Sequence, residues 1–349
     1  MRIAVACRVA VAATILSAVA GLGAASPAAA APAALAVPAG RQAQIAEEAA
    51  LLGWDGRRET LVLDLNLLAD TDNAVLVVPT PSRATMEPVA GNTFVDLNRL
   101  TLPQIVTERR WFAADPPTGA ADRPHETEPD QPTGPFETFH FTGTQLADLR
   151  TWLAATGYTL RPETNTTLDA YGRDGWSFVA IRLTRPASPT GPSSLTGRID
   201  PIRLSFATEH PVYPMRISGP ADTPQRVRLY LLSAHRMTRS DAAATAQSVE
   251  VEFAGRLADT ASPTFTGMAE GGRNYLTKLS VAIPDPSTGS TDFTFATAPT
   301  DDEVRGRLTV VESVEFLGLP AGPVVLAPAV AAAALVVFAL FRTLRRQPN

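Results

Sequence analysis

The chain has 349 residues, 45% of them hydrophobic, with 30 basic and 35 acidic side chains, 30 prolines and one cysteine. All the acids, and all but five of the basic residues, lie between residues 31 and 317. An acidic body repels phosphate backbones, which argues against nucleic acid as a partner, and the lone Cys7 rules out an intrachain disulfide.

Arg2 and Arg8 precede an apolar run, Val9 to Leu22, and small residues follow through Ser26-Pro27-Ala28-Ala29-Ala30. This is the basic, apolar, small-residue order of a secretory signal peptide over residues 1–30, cleaved after Ala30; an uncleaved anchor is the alternative. Cys7 stands before the apolar run, where a lipoprotein anchor would need it after. Residues 31–43 are rich in Ala and Pro and are expected to be a disordered leader, with an exported folded region over 44–317.

Ala50–Trp54, Asp55-Gly56 and Arg58–Leu68 predict a β-hairpin, since Asp-Gly suits the two positive-φ positions of a type I′ turn. Leu61, Leu63, Leu65 and Leu67 alternate with Thr60, Asp64 and Asn66 along its second strand. Asp70-Thr71-Asp72-Asn73 turns the chain into a strand, Ala74–Val78, ended by Pro79 and Pro81. A short helix is expected over Phe94–Leu100, and extended chain over Ile105–Phe112. Residues 115–135 hold many prolines and acids, and are expected to form an exposed loop that divides two lobes.

A strand at Phe136–Phe141 leads to the best helix signal in the chain. Thr142 and Gln145 make a capping box, Leu146, Leu149 and Leu153 form one apolar stripe, and Gly157 closes the helix. A weaker helix follows Pro162 up to Tyr171. Strands are expected at Trp176–Thr184 and, after a Pro/Ser/Gly loop, at Ile202–Thr208, Val212–Ile217, Arg226–Leu232, Val249–Phe253, Tyr275–Val281 and Phe293–Phe295. Strands outnumber helices without regular alternation, which points to an α+β fold of mostly antiparallel sheets with a few helices.

Phe316 to Phe341 carries no charge, and Arg342, Arg345 and Arg346 follow at once. Residues 319–341 are therefore expected to be one C-terminal transmembrane helix, with the N-terminal domain outside and a tail, 342–349, kept in the cytoplasm by its arginines. Leu319-Pro320-Ala321-Gly322-Pro323 lacks the Thr-Gly of a sortase signal, so a retained helix is the better reading.

Gly-x-Ser-x-Gly, phosphate-binding Gly-rich loops and His-Glu-x-x-His are absent, so no cofactor is expected. The acid pairs Asp70/Asp72 and Asp285/Asp292 offer oxygen ligands to Ca²⁺, though turn chemistry accounts for them better. His125 stands near Glu126, Glu128 and Asp130 in the Pro-rich loop; His140 alternates with Phe139 and Phe141 on a strand, which suits solvent or a satisfied core position, and His210 stands apart. His235, beside Arg236 at a strand end, is the most site-like of the four histidines. Trp54, Trp111, Trp152 and Trp176 fit core packing better than a carbohydrate platform.

Several phrases together resemble a known family: Trp54-Asp55-Gly56, Ala74-Val75-Leu76-Val77-Val78-Pro79-Thr80-Pro81, Trp152-Leu153 with Gly157-Tyr158, Trp176-Ser177-Phe178-Val179-Ala180, Pro201-Ile202-Arg203-Leu204-Ser205-Phe206 and Val212-Tyr213-Pro214-Met215-Arg216. From about residue 44 to 300 the chain is similar to the bacterial domain of unknown function 2330. The resemblance implies export and a C-terminal membrane helix, and it brings no reaction and no catalytic residues. The paired cysteines with which many members begin are missing here. The expected function is that of a single-pass, membrane-anchored extracytoplasmic binding module with a protein partner at the cell envelope. The alternative is a cell-envelope enzyme working through carboxylates, with or without a metal, and a third class is a structural subunit of a membrane complex.

Overall fold

Ala74-Val75-Leu76-Val77-Val78 has no polar face, so it is stable only where both sides of its sheet are covered. In the computed structural model, which describes residues 28–29, 31–87, 89, 91–110, 136–185, 194–218, 224–258, 267–285, 291–316 and 319–344, that is where it lies. The main elements, in chain order, are β1 (Ala34–Pro38), β2 (Ala43–Trp54), β3 (Arg58–Ala69), β4 (Asn73–Thr80), α1 (Thr93–Leu100), β5 (Gln104–Arg110) and β6 (Glu137–Phe141). There follow α2 (Leu146–Ala155), α3 (Pro162–Arg173), β7 (Ser177–Thr184), β8 (Ile202–Ala207), β9 (Gln225–Ser233) and β10 (Ser248–Arg256). The chain ends with β11 (Tyr275–Ile283), β12 (Phe293–Thr297), β13 (Arg307–Ser313) and α4 (Ala321–Leu344).

A ten-stranded sheet runs β10-β11-β9-β2-β3-β8, with short strands on its edges, and is antiparallel except where β9 lies parallel to β2 and to Ala28–Ala29. A five-stranded antiparallel sheet runs β6-β7-β4-β1 and ends on Tyr158–Thr159. The two sheets pack face to face through Leu61, Leu63, Leu65 and Leu229 on one side and Leu76, Val78, Val179 and Ile181 on the other. Val75, Val77 and Phe178 point the opposite way, under Leu149 and Leu153 of α2 and Leu168 and Tyr171 of α3. The far side of the large sheet buries Leu51, Val62 and Tyr230 against Phe94 and Leu97 of α1. The result is four layers: a helix pair, the small sheet, the large sheet and a single helix. Each fully buried Leu or Val contributes roughly 1.5–3 kcal/mol, and the fold is the α+β, mostly antiparallel architecture read from the sequence.

Local signals are realised closely. The β2–β3 hairpin forms, but its loop has four residues rather than two, since Trp54 pairs with Glu59; Asp55 Oδ1 accepts the amides of Arg57 and Arg58 at 2.9 and 2.8 Å, and Gly56 has φ 99°. The Thr142 amide donates to Gln145 Oε1 at 3.0 Å, and this capping box opens a 3-10 turn that runs into α2. Gly157, at φ 84°, takes the chain out of α2.

Three expectations need correction. The disordered leader over 31–43 is instead largely ordered: β1 inserts between β4 and Tyr158–Thr159, with Ala34 opposite Val77 and Ala36 opposite Val75. Its alanines are what a strand tightly covered by helices requires, and Ala36 is fully buried. Next, 115–135 (outside the described residues) does not separate two lobes, because strands from both sides of it share each sheet. β4 pairs with β7, β3 with β8 and β2 with β9. The strand expected at Val212–Ile217 stops at Tyr213, because Pro214 has no amide to continue a ladder, and a 3-10 turn follows over Met215–Ser218.

α4 is a helix of 24 residues with Arg342 in its last turn, and its side chains from Val330 to Leu340 are exposed. Among the described residues no helix is long and apolar enough to cross a membrane. Arg345, Arg346 and residues 1–27 lie outside the described residues.

Ala36→Asp tests the place of β1. A carboxylate forced into this buried strand finds no partner, and the expected loss is about 3 kcal/mol or more, read as a lower urea midpoint. An unchanged midpoint is the result a disordered leader would give.

Candidate functional site

The docking of β1 creates the largest concavity among the described pockets, an open groove of about 610 Å³. Its apolar wall comes from Leu35 and Val37 on β1, Leu68 at the end of β3, and Leu160. The strand period of two places Leu35 and Val37 on one face. Past β1 the chain reverses at Pro38-Ala39-Gly40-Arg41, where the Arg41 amide donates to the Pro38 carbonyl at 3.0 Å and Gly40 has φ 77°. That reversal brings Arg41 to the rim. Arg161 enters from the other side, held in extended backbone immediately before Pro162 of α3.

The charges of this rim are unequal. Asp70 Oδ1 accepts the Gln42 amide at 2.7 Å and so is occupied by backbone. Arg41 Nη1 reaches only the Asp70 carbonyl, at 3.3 Å. The Arg161 guanidinium has no partner among the described residues. Apolar walls with two guanidiniums, neither hydrogen-bonded to a carboxylate among the described residues, against the single carboxylate of Asp70 fit an anion carrying an apolar body.

The residues singled out from sequence fall elsewhere, apart from Asp70. Asp72 Oδ1 accepts from Asn73 Nδ2 at 2.6 Å, and its carbonyl accepts the Arg185 amide at 2.9 Å, which are turn contacts. Asp292 accepts from Arg216 Nε at 2.7 Å, from the Arg216 amide at 3.0 Å and from the Tyr171 hydroxyl at 2.5 Å. Arg216 lies over the Tyr171 ring at 4.2 Å and also holds Asp174 at 2.7 Å. Asp292 is thus a fastener between α3 and the turn after Tyr213. Asp285 is exposed just beyond β11. Among the described residues, no three His, Cys, Asp or Glu side chains come together as a metal site.

His235 Nδ1 lies 2.9 Å from Asp301 Oδ2, whose other oxygen accepts the Arg236 amide at 2.8 Å. Those bonds, the one to His235 foremost, hold the Asp301 carboxyl below its usual range. The nearby Ser233 hydroxyl donates to the His235 carbonyl rather than to its ring, so the pair has no nucleophile of that kind. His140 lines a cavity of about 20 Å³, room for one water, and burial with Arg83 pushes its pKa down. Trp152 packs on Phe139 at 4.4 Å and Trp176 on Tyr171 at 4.8 Å, as core rings. His125 and Trp111 lie outside the described residues.

Residues 26–296 match the family described as an uncharacterized protein conserved in bacteria, DUF2330. The chain belongs to this family. The match takes in β1 and every wall of the groove. No curated protein matches the chain. Among solved structures, the crystal structure of baculovirus P35 is similar at 8% identity and a TM-score of 0.35, over 77% of this chain and 97% of that one; a likeness so low carries no argument.

Sequence reasoning missed most of the groove in this DUF2330 protein because β1 was read as leader. The signal was present: Leu35 and Val37 alternate with alanines ahead of a Pro-x-Gly reversal.

The same protein buries two glutamates in its core. Glu59 is fully buried on β3; its Oε2 accepts the Val212 amide at 2.8 Å and its Oε1 has no partner. Glu48 on β2 accepts the Tyr213 hydroxyl through Oε1, with Oε2 unpartnered. Burial pushes both carboxyls well above the usual range, so each keeps its proton to higher pH in the fold than in the unfolded chain. An unfolded Glu ionises near about pH 4.3. Stability is therefore fullest below that pH and is lost as pH rises through the folded value. Glu59→Gln removes one of these titrations. The variant is expected to gain stability relative to the parent between pH 4 and pH 8, measured by urea unfolding; a difference that stays constant with pH would contradict this.

Proposed function

We propose that this protein is a membrane-tethered binding module of the bacterial cell envelope, and that the groove between β1, β3 and α3 holds its ligand. The ligand class is an anion with an apolar body, such as a carboxylate on an alkyl chain or an apolar peptide ending in its free carboxylate. The observation that carries the reading is that Arg41 and Arg161, neither hydrogen-bonded to a carboxylate among the described residues, line one groove with the wall of Leu35, Val37, Leu68 and Leu160. The tether rests on the uncharged stretch to Phe341 with Arg342, Arg345 and Arg346 behind it, and on the signal-like residues 1–30. The enzyme reading finds less support, since the His235–Asp301 pair has no Ser233 nucleophile and the core carboxyls of Glu48 and Glu59 are sealed from substrate.

The test is titration calorimetry on the full-length protein in nanodiscs, with alkyl carboxylates of rising length and short peptides with free C-termini. Affinity is expected to rise with apolar length and to fall about tenfold or more in Arg161→Glu, which converts attraction for a carboxylate into repulsion. Because Arg161 is exposed, its unfolding midpoint should stay near the parent's. Equal affinity in parent and variant would contradict the groove as the site.

A further inference from the structure

β5 and β13 pair only with each other among the described strands, in parallel register from Gln104 opposite Arg307 to Arg110 opposite Ser313. Parallel strands are normally covered on both faces, and a two-stranded ribbon buries too little to sustain itself. The register sets Ile105 opposite Leu308 and Thr107 opposite Val310. Side chains alternate between faces, so these four share one face with Arg109, while Gln104, Val106, Glu108, Arg110, Arg307 and Thr309 share the other. The apolar side chains of the first face are open, with Ile105 67%, Leu308 46% and Val310 40% exposed. A ribbon of this build is stable only when something covers that face.

Its place in the chain points to the cover. β13 ends at Ser313 and α4 begins at Ala321, so the connection spans at most about 25 Å. Pairing of Glu315–Phe316 with Leu319–Pro320 folds it back and shortens it. α4 itself presents Leu335, Val337 and Phe338 more than 60% exposed. A short link, which α4 touches along both its strands, thus joins the apolar ribbon to the apolar helix. Of its arginines, Arg110 is held by Glu108 at 2.8 Å on the other face, and Arg109 is the cation on the face of Ile105 and Leu308, where it suits anionic headgroups.

We infer that the Ile105/Leu308/Val310 face rests on the lipid bilayer, as an interfacial platform beside the membrane helix. This rests on the reading of α4 as the anchor. Ile105 and Leu308 enter the headgroup boundary, Arg109 on the same face meets lipid phosphates, and the bilayer supplies the cover that parallel strands need. The domain is then fixed against the membrane by two contacts rather than held on one flexible stalk.

The test uses full-length protein carrying Cys7→Ser and one new thiol, either Leu308→Cys, Phe338→Cys or Asp55→Cys at the β2–β3 turn. Each is labelled with an environment-sensitive dye and placed in vesicles of phosphatidylcholine and phosphatidylglycerol that carry spin-labelled quencher lipids. At position 308 the expected result is a blue shift with loss of most emission to a shallow quencher, and a smaller loss without phosphatidylglycerol. At position 338 a deep quencher acts, and at position 55 neither does. Emission at 308 typical of water, with position 338 still quenched, overturns the platform and leaves the anchor standing. A blue shift at 308 without lipid quenching overturns it too, and points to a second copy or another protein as the cover. No quenching at 338 removes the anchor reading, and this inference with it.

Discussion

The fold depends on one strand that tolerates no solvent on either face. β4 is buried from Ala74 through Thr80, so it needs a sheet beneath it, helices above it and a neighbour on each edge. The large sheet supplies the first through Leu61, Leu63 and Leu65, and α2 and α3 the second through Leu149 and Leu168. The edge strands come from distant parts of the chain: β7 on one side and β1 on the other. Everything else about the architecture follows from bringing those pieces together. The N-terminal segment is drawn inside, and the chain on both sides of residues 115–135 becomes one body.

Features encoded within a few residues were legible. The Thr142/Gln145 capping box, the Leu146/Leu149/Leu153 stripe and the Asp55-Gly56 turn are local devices, and each lies where its residues put it. Partnerships across the chain were not legible. Asp292 offers two oxygens to any cation when seen alone, and only the fold brings Arg216 and Tyr171 to it, 76 and 121 residues away. β1 was misread because Ala and Pro are frequent in disordered segments, and nothing nearby in sequence shows that β4 lacks an edge partner. Val212–Ile217 failed for a simpler reason, the missing amide of Pro214.

The groove is a by-product of the same constraint. Once β1 is held by β4, its other face carries Leu35 and Val37 to the end of β3, and the Pro38–Arg41 reversal sets one arginine above them. Ligand site and fold are therefore coupled through a single strand. The buried Glu48 and Glu59 work against stability at neutral pH, and the layers of apolar contact around them offset that cost. At the other end the β5–β13 ribbon leaves Ile105, Leu308 and Val310 exposed, and a short link joins it to α4.

The central claim, that β1 is an integral strand of the small sheet, is tested most directly by hydrogen exchange with mass spectrometry on the native full-length protein. Peptides covering Ala34–Pro38 should exchange as slowly as those covering Asn73–Thr80, because the two strands share one ladder and open together. Exchange of 34–38 at the rate of free chain, with 73–80 still protected, would contradict the account and detach the groove from the fold.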